Sequence, residues 1–264
     1  MRAAPGLLAM IALITPLAAQ ESDDDAVADP ARNPVETSPA PEARPDGGPG
    51  DDAVADAPAP SEDAVEPTGE GMRDMLALPD TDYDQCLADL AAIGAEFTEI
   101  APIIPRDDPD CGILRPVELS ALLPGIAFRP PAPLRCPAAL AAARWTRDFA
   151  IPAAERLGRG RITAVDHGST YVCRRRNNQP DGKPSEHSFG NAIDVMGFRF
   201  SDGEPVVVQP RERDGTRAEA FQDAVRATAC LEFTTVLGPG SDDFHDDHLH
   251  MDVVERNGDF RLCQ

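Results

Sequence analysis

The sequence predicts an α+β domain over residues 75–264, with helices packed on a small, largely antiparallel sheet. Three segments carry apolar residues at helical period, within Asp84–Phe97, Pro137–Gly158 and Arg217–Leu231. Five short runs read as strands: Arg161–Val165, Thr170–Cys173, Asn191–Phe200, Phe233–Leu237 and His248–Glu255. The residues ahead of Met75 have a composition that cannot build a core, so the folded part falls in the remaining 190 or so positions, enough for one domain.

In chain order, Arg2 followed by the apolar run Leu7–Leu17 and the small residues Ala18-Ala19 reads as an export leader over residues 1–19, too short to span a bilayer. Residues 20–74 read as a disordered acidic linker. Glu21–Glu70 holds fifteen acidic residues against two arginines, which is −13 of the formal net charge of −22, and it is rich in Pro and Ala. Such a segment buries too little apolar surface to offset its ordering entropy. The acidity also argues against nucleic acid as a partner, since phosphate recognition needs a basic surface.

Leu87, Leu90, Ala91, Ile93 and Phe97 mark a first helix, with Thr81 and Asp82 available as caps and Gly94 weakening its last turn. Asp107–Pro133 is broken repeatedly by Pro and Gly and reads as loops and short strands around Cys111. Pro137 suits a first helical position, and Leu140, Arg144, Trp145 and Phe149 follow on one side. That helix should bend or stop near Ile151-Pro152 and end by Gly158. The strands Arg161–Val165 and Thr170–Cys173 are then separated by Asp166-His167-Gly168, and Ser201-Asp202-Gly203 closes the strand from Asn191. Phe221, Ala224, Val225, Thr228 and Leu231 form the apolar face of the last helix. No later segment is long and apolar enough to cross a membrane.

All six cysteines, Cys86, Cys111, Cys136, Cys173, Cys230 and Cys263, lie beyond the leader. An even count in an exported chain reads as three disulfides, with fifteen pairings open. A cysteine zinc site is the poorer reading, because no two cysteines stand in C-x-x-C spacing. The expected setting is the periplasm or the extracellular space.

The chain has five histidines, and His245, His248 and His250 fall within six residues. If His248–Val253 is a strand, His248, His250 and Asp252 share one face while Leu249, Met251 and Val253 enter the core. Imidazoles at i and i+2 stand about 6–7 Å apart at the backbone, which suits either one metal ligand with a neighbour reaching substrate or two ligands. Upstream, His187 precedes the small residues Gly190 and Ala192, and Asp194 falls on the next strand. A His, an Asp and a second His form a three-ligand N/O set with a fourth position open for water, the arrangement a catalytic zinc needs. Asp242, Asp243, Asp246 and Asp247 taken alone would read as a solvated acidic loop.

The pattern S-x-H-x-x-G-x-A-x-D at Ser185–Asp194, with H-D-D-H-x-H at His245–His250, resembles the LAS metallopeptidases. These include D-Ala-D-Ala carboxypeptidases and dipeptidases, penicillin-insensitive murein endopeptidases and the hedgehog signalling domain. The stretch Cys173-Arg174-Arg175-Arg176-Asn177-Asn178 and the closing Phe260-Arg261-Leu262-Cys263 resemble the bacterial extensin-like C-terminal family, over most of Cys86–Gln264. The resemblance implies a LAS-type fold and one Zn2+ per chain held by His187, Asp194 and His250. It implies that His248 is a general base or transition-state stabiliser, and His245 matches the further histidine of the murein endopeptidase pattern; of the two, His248 is taken as the base. Asp246 and Asp247 stand where some relatives carry a glutamate base. An arginine upstream of the first ligand, for which Arg174 is the candidate among three, would polarise the scissile carbonyl. Ser185 would orient the first ligand or the substrate, and Asp247 lies beside the site. The implied activity is hydrolysis of an amide bond in peptidoglycan peptides, as endopeptidase or carboxypeptidase. The alternative is a zinc-containing module that binds peptidoglycan or an envelope protein without turnover.

Overall fold

The computed structural model describes residues 71–264. The expected leader and all but the last four residues of the expected linker lie outside the described residues. The described chain is already folded ahead of Met75: α1 (Met72–Met75) tucks Arg73 into the body, where its guanidinium donates 2.9 Å to the Cys111 carbonyl.

The class is α+β, as the periodicities predict, but the sheet is larger than expected and mixed. Among the described residues it has nine strands in the order β1-β2-β3-β4-β5-β8-β7-β9, with β6 pairing with β5 off that path. The strands are β1 (Glu96–Glu99), β2 (Pro116–Leu123), β3 (Ile126–Arg135), β4 (Ile162–Ser169), β5 (Ala192–Phe200), β6 (Val206–Val207), β7 (Thr235–Leu237), β8 (Leu249–Asp252) and β9 (Leu262–Cys263). β3/β4 and β7/β9 are parallel; the other pairs are antiparallel.

The first helix, α2 (Asp80–Ile93), starts after Pro79 and stops at Gly94. Gly94 has φ +84, and a Cβ there would sit 2.9 Å from Pro124, so the chain turns and Phe97 falls in β1 rather than on the helix. Over 107–133, where loops and short strands were expected, a loop at Cys111 leads into the long hairpin β2–β3. Its prolines are tolerated because β3 pairs with β4 only over Ala127–Arg129. Pro130, Pro131 and Pro133 come after that pairing ends, where no N–H is required on that side. The second helix runs as α3 (Cys136–Trp145), a π-turn over Thr146–Ala150 and α4 (Ile151–Leu157), closed by Gly158 at φ +80. The widened turn sits just before Pro152, which lacks the N–H for a regular turn and crowds the carbonyl four residues back. α5 (Arg217–Ala229) has Thr216 as its cap, the hydroxyl accepting from Glu219 N–H at 3.2 Å.

The sequence split one strand in two. β4 continues through Asp166-His167-Gly168, and Thr170–Cys173 is not a strand. His167 is held inside: its ring stacks on Phe128 with centroids 4.1 Å apart, and Nε2 lies 2.6 Å from the Pro130 carbonyl. Trp145 is buried against Phe198 and donates its indole N–H to the Val225 carbonyl at 3.0 Å, which ties α3 to α5 over the sheet.

Three disulfides form, Cys86–Cys136, Cys111–Cys173 and Cys230–Cys263. They indicate an oxidising, exported setting. Among the described residues no helix is long and apolar enough to cross a membrane.

Candidate metal centre

The central strands separate core from chemistry by alternation. Ile193, Val195, Val236, Leu249 and Met251 enter the core. Asp194, Thr235, His250 and Asp252 occupy the alternate positions, and the last three line a cleft of ≈ 280 Å³. Asp194 and His250 are direct cross-strand partners in the antiparallel β5/β8 pair. The register of these two strands therefore places a carboxylate beside an imidazole.

His187 arrives from a single 3-10 turn, Glu186–Phe189, which ends at Gly190 with φ +66. A Cβ on Gly190 would lie 2.3 Å from the Ile113 side chain, so glycine is required by conformation and by space. The turn is tied on both sides of one disulfide. Gly112, next to Cys111, donates its N–H to the Ser188 carbonyl at 2.8 Å; Arg174, next to Cys173, donates its N–H to Ser188 Oγ at 3.1 Å and accepts from that hydroxyl at 2.8 Å. The Cys111–Cys173 bridge thus clamps the segment that presents His187.

The three residues read as ligands converge. His187 Nε2 lies 3.0 Å from Asp194 Oδ1 and 3.1 Å from His250 Nδ1, and His250 Nδ1 lies 3.0 Å from Asp194 Oδ1. Bonds of about 2.0 Å at tetrahedral angles place ligand atoms about 3.3 Å apart, so the trio needs only a few tenths of an ångström to receive a small divalent cation. The outer ring nitrogens are committed elsewhere. His187 Nδ1 faces the Thr170 carbonyl at 3.0 Å, and a carbonyl only accepts, so the proton is on Nδ1. His250 Nε2 donates to Asp252 Oδ2 at 3.3 Å. With those partners held, His187 Nε2 and His250 Nδ1 are the ring nitrogens that face the Asp194 carboxylate, and a bound cation would take the place of the proton that His250 shares with Asp194 in the metal-free centre. Two ring nitrogens and a carboxylate oxygen gathered in this way form a set that a divalent cation can share, with outer partners that orient the imidazoles as in metal sites. A second group of potential ligands, Asp108, Cys111 and Cys173, offers no thiolate because its cysteines are disulfide-bonded.

Electrostatics agree. Burial opposes ionisation of Asp194, but the neighbouring imidazoles of His187 and His250 outweigh it and hold the carboxyl well below the usual range. Burial likewise opposes charge on His250, yet its bonds to Asp194 and Asp252 push it up to about 9 in the metal-free protein. An unfolded histidine titrates near 6.5. The pairing therefore stabilises the metal-free fold fully below about pH 6.5, and this is lost as pH rises through about 9. Thermal melts of metal-free protein should fall across that window; a Tm unchanged from pH 6.5 to 9.5 would contradict the pairing.

The other candidates surround the trio. His248 Nε2 lies 3.5 Å from Asp194 Oδ1, while its Nδ1 donates to Asp247 Oδ1 at 2.8 Å. That bond leaves the Nε2 lone pair facing the centre, the orientation a proton acceptor needs. His245 is held by Asp242 at 2.6 Å, its ring centroid 5.7 Å from that of His250. Burial lowers its pKa, against the raising effect of the Asp242 carboxylate. The three arginines separate. Arg175 pairs with Asp108 and Asp110, and Arg176 with the buried Glu186. Arg174 lines the cleft and has no carboxylate within 4.0 Å among the described residues. Ser185 is buried at the cleft wall and its backbone caps the 3-10 turn; the group holding His187 Nδ1 is the Thr170 carbonyl, with Ser169 Oγ at 3.4 Å.

Sequence reasoning gave no role to Thr170, Thr235 or Arg256. The first acts through its backbone, which leaves no signature in residue type. For Asp252 the strand alternation was the available signal.

Residues 84–264 match the family model described as Extensin-like protein C-terminus. No curated protein and no solved structure matches the chain.

Proposed function

We propose that this chain, which belongs to the extensin-like C-terminal family, is a zinc peptidase that hydrolyses an amide bond in peptidoglycan peptides in the periplasm. One observation carries the reading: three converging ligand atoms within 3.1 Å of one another, flanked on the cleft side by a carboxylate-oriented histidine. The chemistry of two imidazoles and one carboxylate favours zinc over the hard, oxygen-seeking cations. Zinc bound there lowers the pKa of a water ligand towards neutrality and polarises the scissile carbonyl.

The chain's own residues supply the rest. His248 accepts the proton of the attacking water at Nε2 and returns it to the leaving amine, while Asp247 stabilises the imidazolium through Nδ1–H. Arg174, a cleft arginine with no carboxylate within 4.0 Å among the described residues and not engaged by Thr235 as Arg256 is, would offset negative charge developing on the carbonyl oxygen. His245 forms the adjoining wall, anchored on Asp242. Peptidoglycan as substrate is supported by the motif resemblance at Ser185–Asp194 and His245–His250 and by the disulfide-bonded, exported character of the chain.

The test is digestion of purified cross-linked muropeptides, followed by chromatography with mass detection. Chelator-sensitive release of cross-link or C-terminal fragments, restored by about one equivalent of zinc, is the expected outcome. A fully zinc-loaded protein that leaves every wall peptide intact would replace this reading with a non-catalytic module that binds peptidoglycan or an envelope protein.

A further inference from the structure

The buried polar groups behind His250 form a directed chain that the hydrolytic reading does not use. Thr235 and Asp252 are cross-strand partners in the antiparallel β7/β8 pair, and both are buried. Arg256 donates from one terminal nitrogen to the Thr234 carbonyl at 2.8 Å and from the other to Thr235 Oγ1 at 2.6 Å. A hydroxyl has one proton to give, and with a guanidinium occupying its lone-pair side that proton goes to Asp252 Oδ1 at 2.7 Å. The same oxygen accepts the Val254 N–H at 3.1 Å. Oδ1 is thus saturated by two donors, and Oδ2 is left for His250 Nε2 at 3.3 Å.

We infer that Arg256, Thr235 and Asp252 act as a positioning relay that holds the His250 Nε2 proton outward and so offers Nδ1 to the metal, which sets the metal affinity of the centre. Every bond in the relay has one permitted direction. Arg256 has no acceptor to offer, so it donates; the carboxylate has no proton to give, so it accepts from both sides. Reversal would leave either the arginine or the carboxylate facing a group of its own kind in a buried site, at a cost of several hydrogen bonds. The Asp252 charge also makes the His250 lone pair a better donor to a cation. The relay starts at the cleft wall, since Thr235, Asp252 and Arg256 line the same cavity as His250. It is separate from the proton-transfer pair Asp247–His248.

This inference rests on the trio holding zinc, and its test separates the two claims. Zinc affinity is measured directly on the folded, disulfide-bonded chain by competition with a chromophoric chelator. Outer partners of metal-bound histidines typically contribute about 10–100-fold in affinity. Asp252→Asn and Thr235→Val are each expected to weaken zinc binding by about tenfold or more, with Thr235→Ser restored to near the wild-type value because it keeps the hydroxyl. In the zinc-loaded protein the His250 Nε2–H proton, seen by 15N-edited NMR, should exchange faster in Thr235→Val than in Thr235→Ser. A purely structural threonine would lower Tm in Thr235→Val without moving either readout. Wild-type zinc binding with unchanged affinity in Asp252→Asn and Thr235→Val would overturn the relay alone. A wild type that binds no zinc would overturn the metal reading and the relay with it.

Discussion

His187→Ala is expected to purify folded but without zinc, where the wild type carries about one equivalent. The ring is fully buried, and both its nitrogens are in use, one on the Thr170 carbonyl and one on the trio. Alanine removes a ligand and leaves Asp194 and His250, a two-point site. If roughly 10–16 kcal/mol of zinc binding is shared among four ligands, each is worth about 3 kcal/mol, or more than a hundredfold in affinity. Metal content after dialysis against buffered nanomolar zinc reads the effect. The truncation also opens a cavity and orphans a carbonyl, at a cost of about 2–4 kcal/mol, so circular dichroism and an intact disulfide count accompany the measurement. Stoichiometric zinc in a folded His187→Ala would remove it from the ligand set.

The second large effect separates binding from turnover. His248→Ala should keep its zinc and lose cleavage of cross-linked muropeptides by about 10²–10⁴-fold in kcat, the usual contribution of a positioned acid–base group. His248 stands 3.5 Å from Asp194 without belonging to the converging trio, and it is part-exposed in the cleft, so its loss should cost the fold little. Asp247→Asn should have a smaller effect, since it alters the orientation of the ring without removing it. Unchanged kcat in His248→Ala would pass the proton-transfer role to His245, the neighbouring histidine 5.3 Å away between ring centroids.

Much of this architecture was readable from the sequence. The alternation of His248–Val253 followed from period two, because one face is apolar and must be buried, and the strand read over Asn191–Phe200 forms over Ala192–Phe200. His187, Asp194 and His250 were readable as a set, and the structure brings their donor atoms together. The failures have physical causes. β3 was hidden by Pro130, Pro131 and Pro133, all of which lie beyond the Ala127–Arg129 stretch that pairs with β4, the first two where the β2 register shifts. Asp166-His167-Gly168 looks like a turn because those residue types favour turns. In the fold the histidine instead stacks on Phe128, a contact thirty-nine positions away in sequence. The choice of Arg174 among three consecutive arginines depends on which neighbours hold carboxylates, and Asp108, Asp110 and Glu186 are brought there only by the fold. The disulfide pairing and the relay through Thr235 are likewise products of tertiary register, invisible to local pattern.

The zinc centre is the claim on which the rest depends, and anomalous diffraction at the zinc edge from crystals of the full chain tests it most directly. The account predicts one peak per chain about 2.0–2.2 Å from His187 Nε2, His250 Nδ1 and an Asp194 oxygen, with its fourth position open to the cleft. A peak held by other residues, or no peak at saturating zinc, would contradict it.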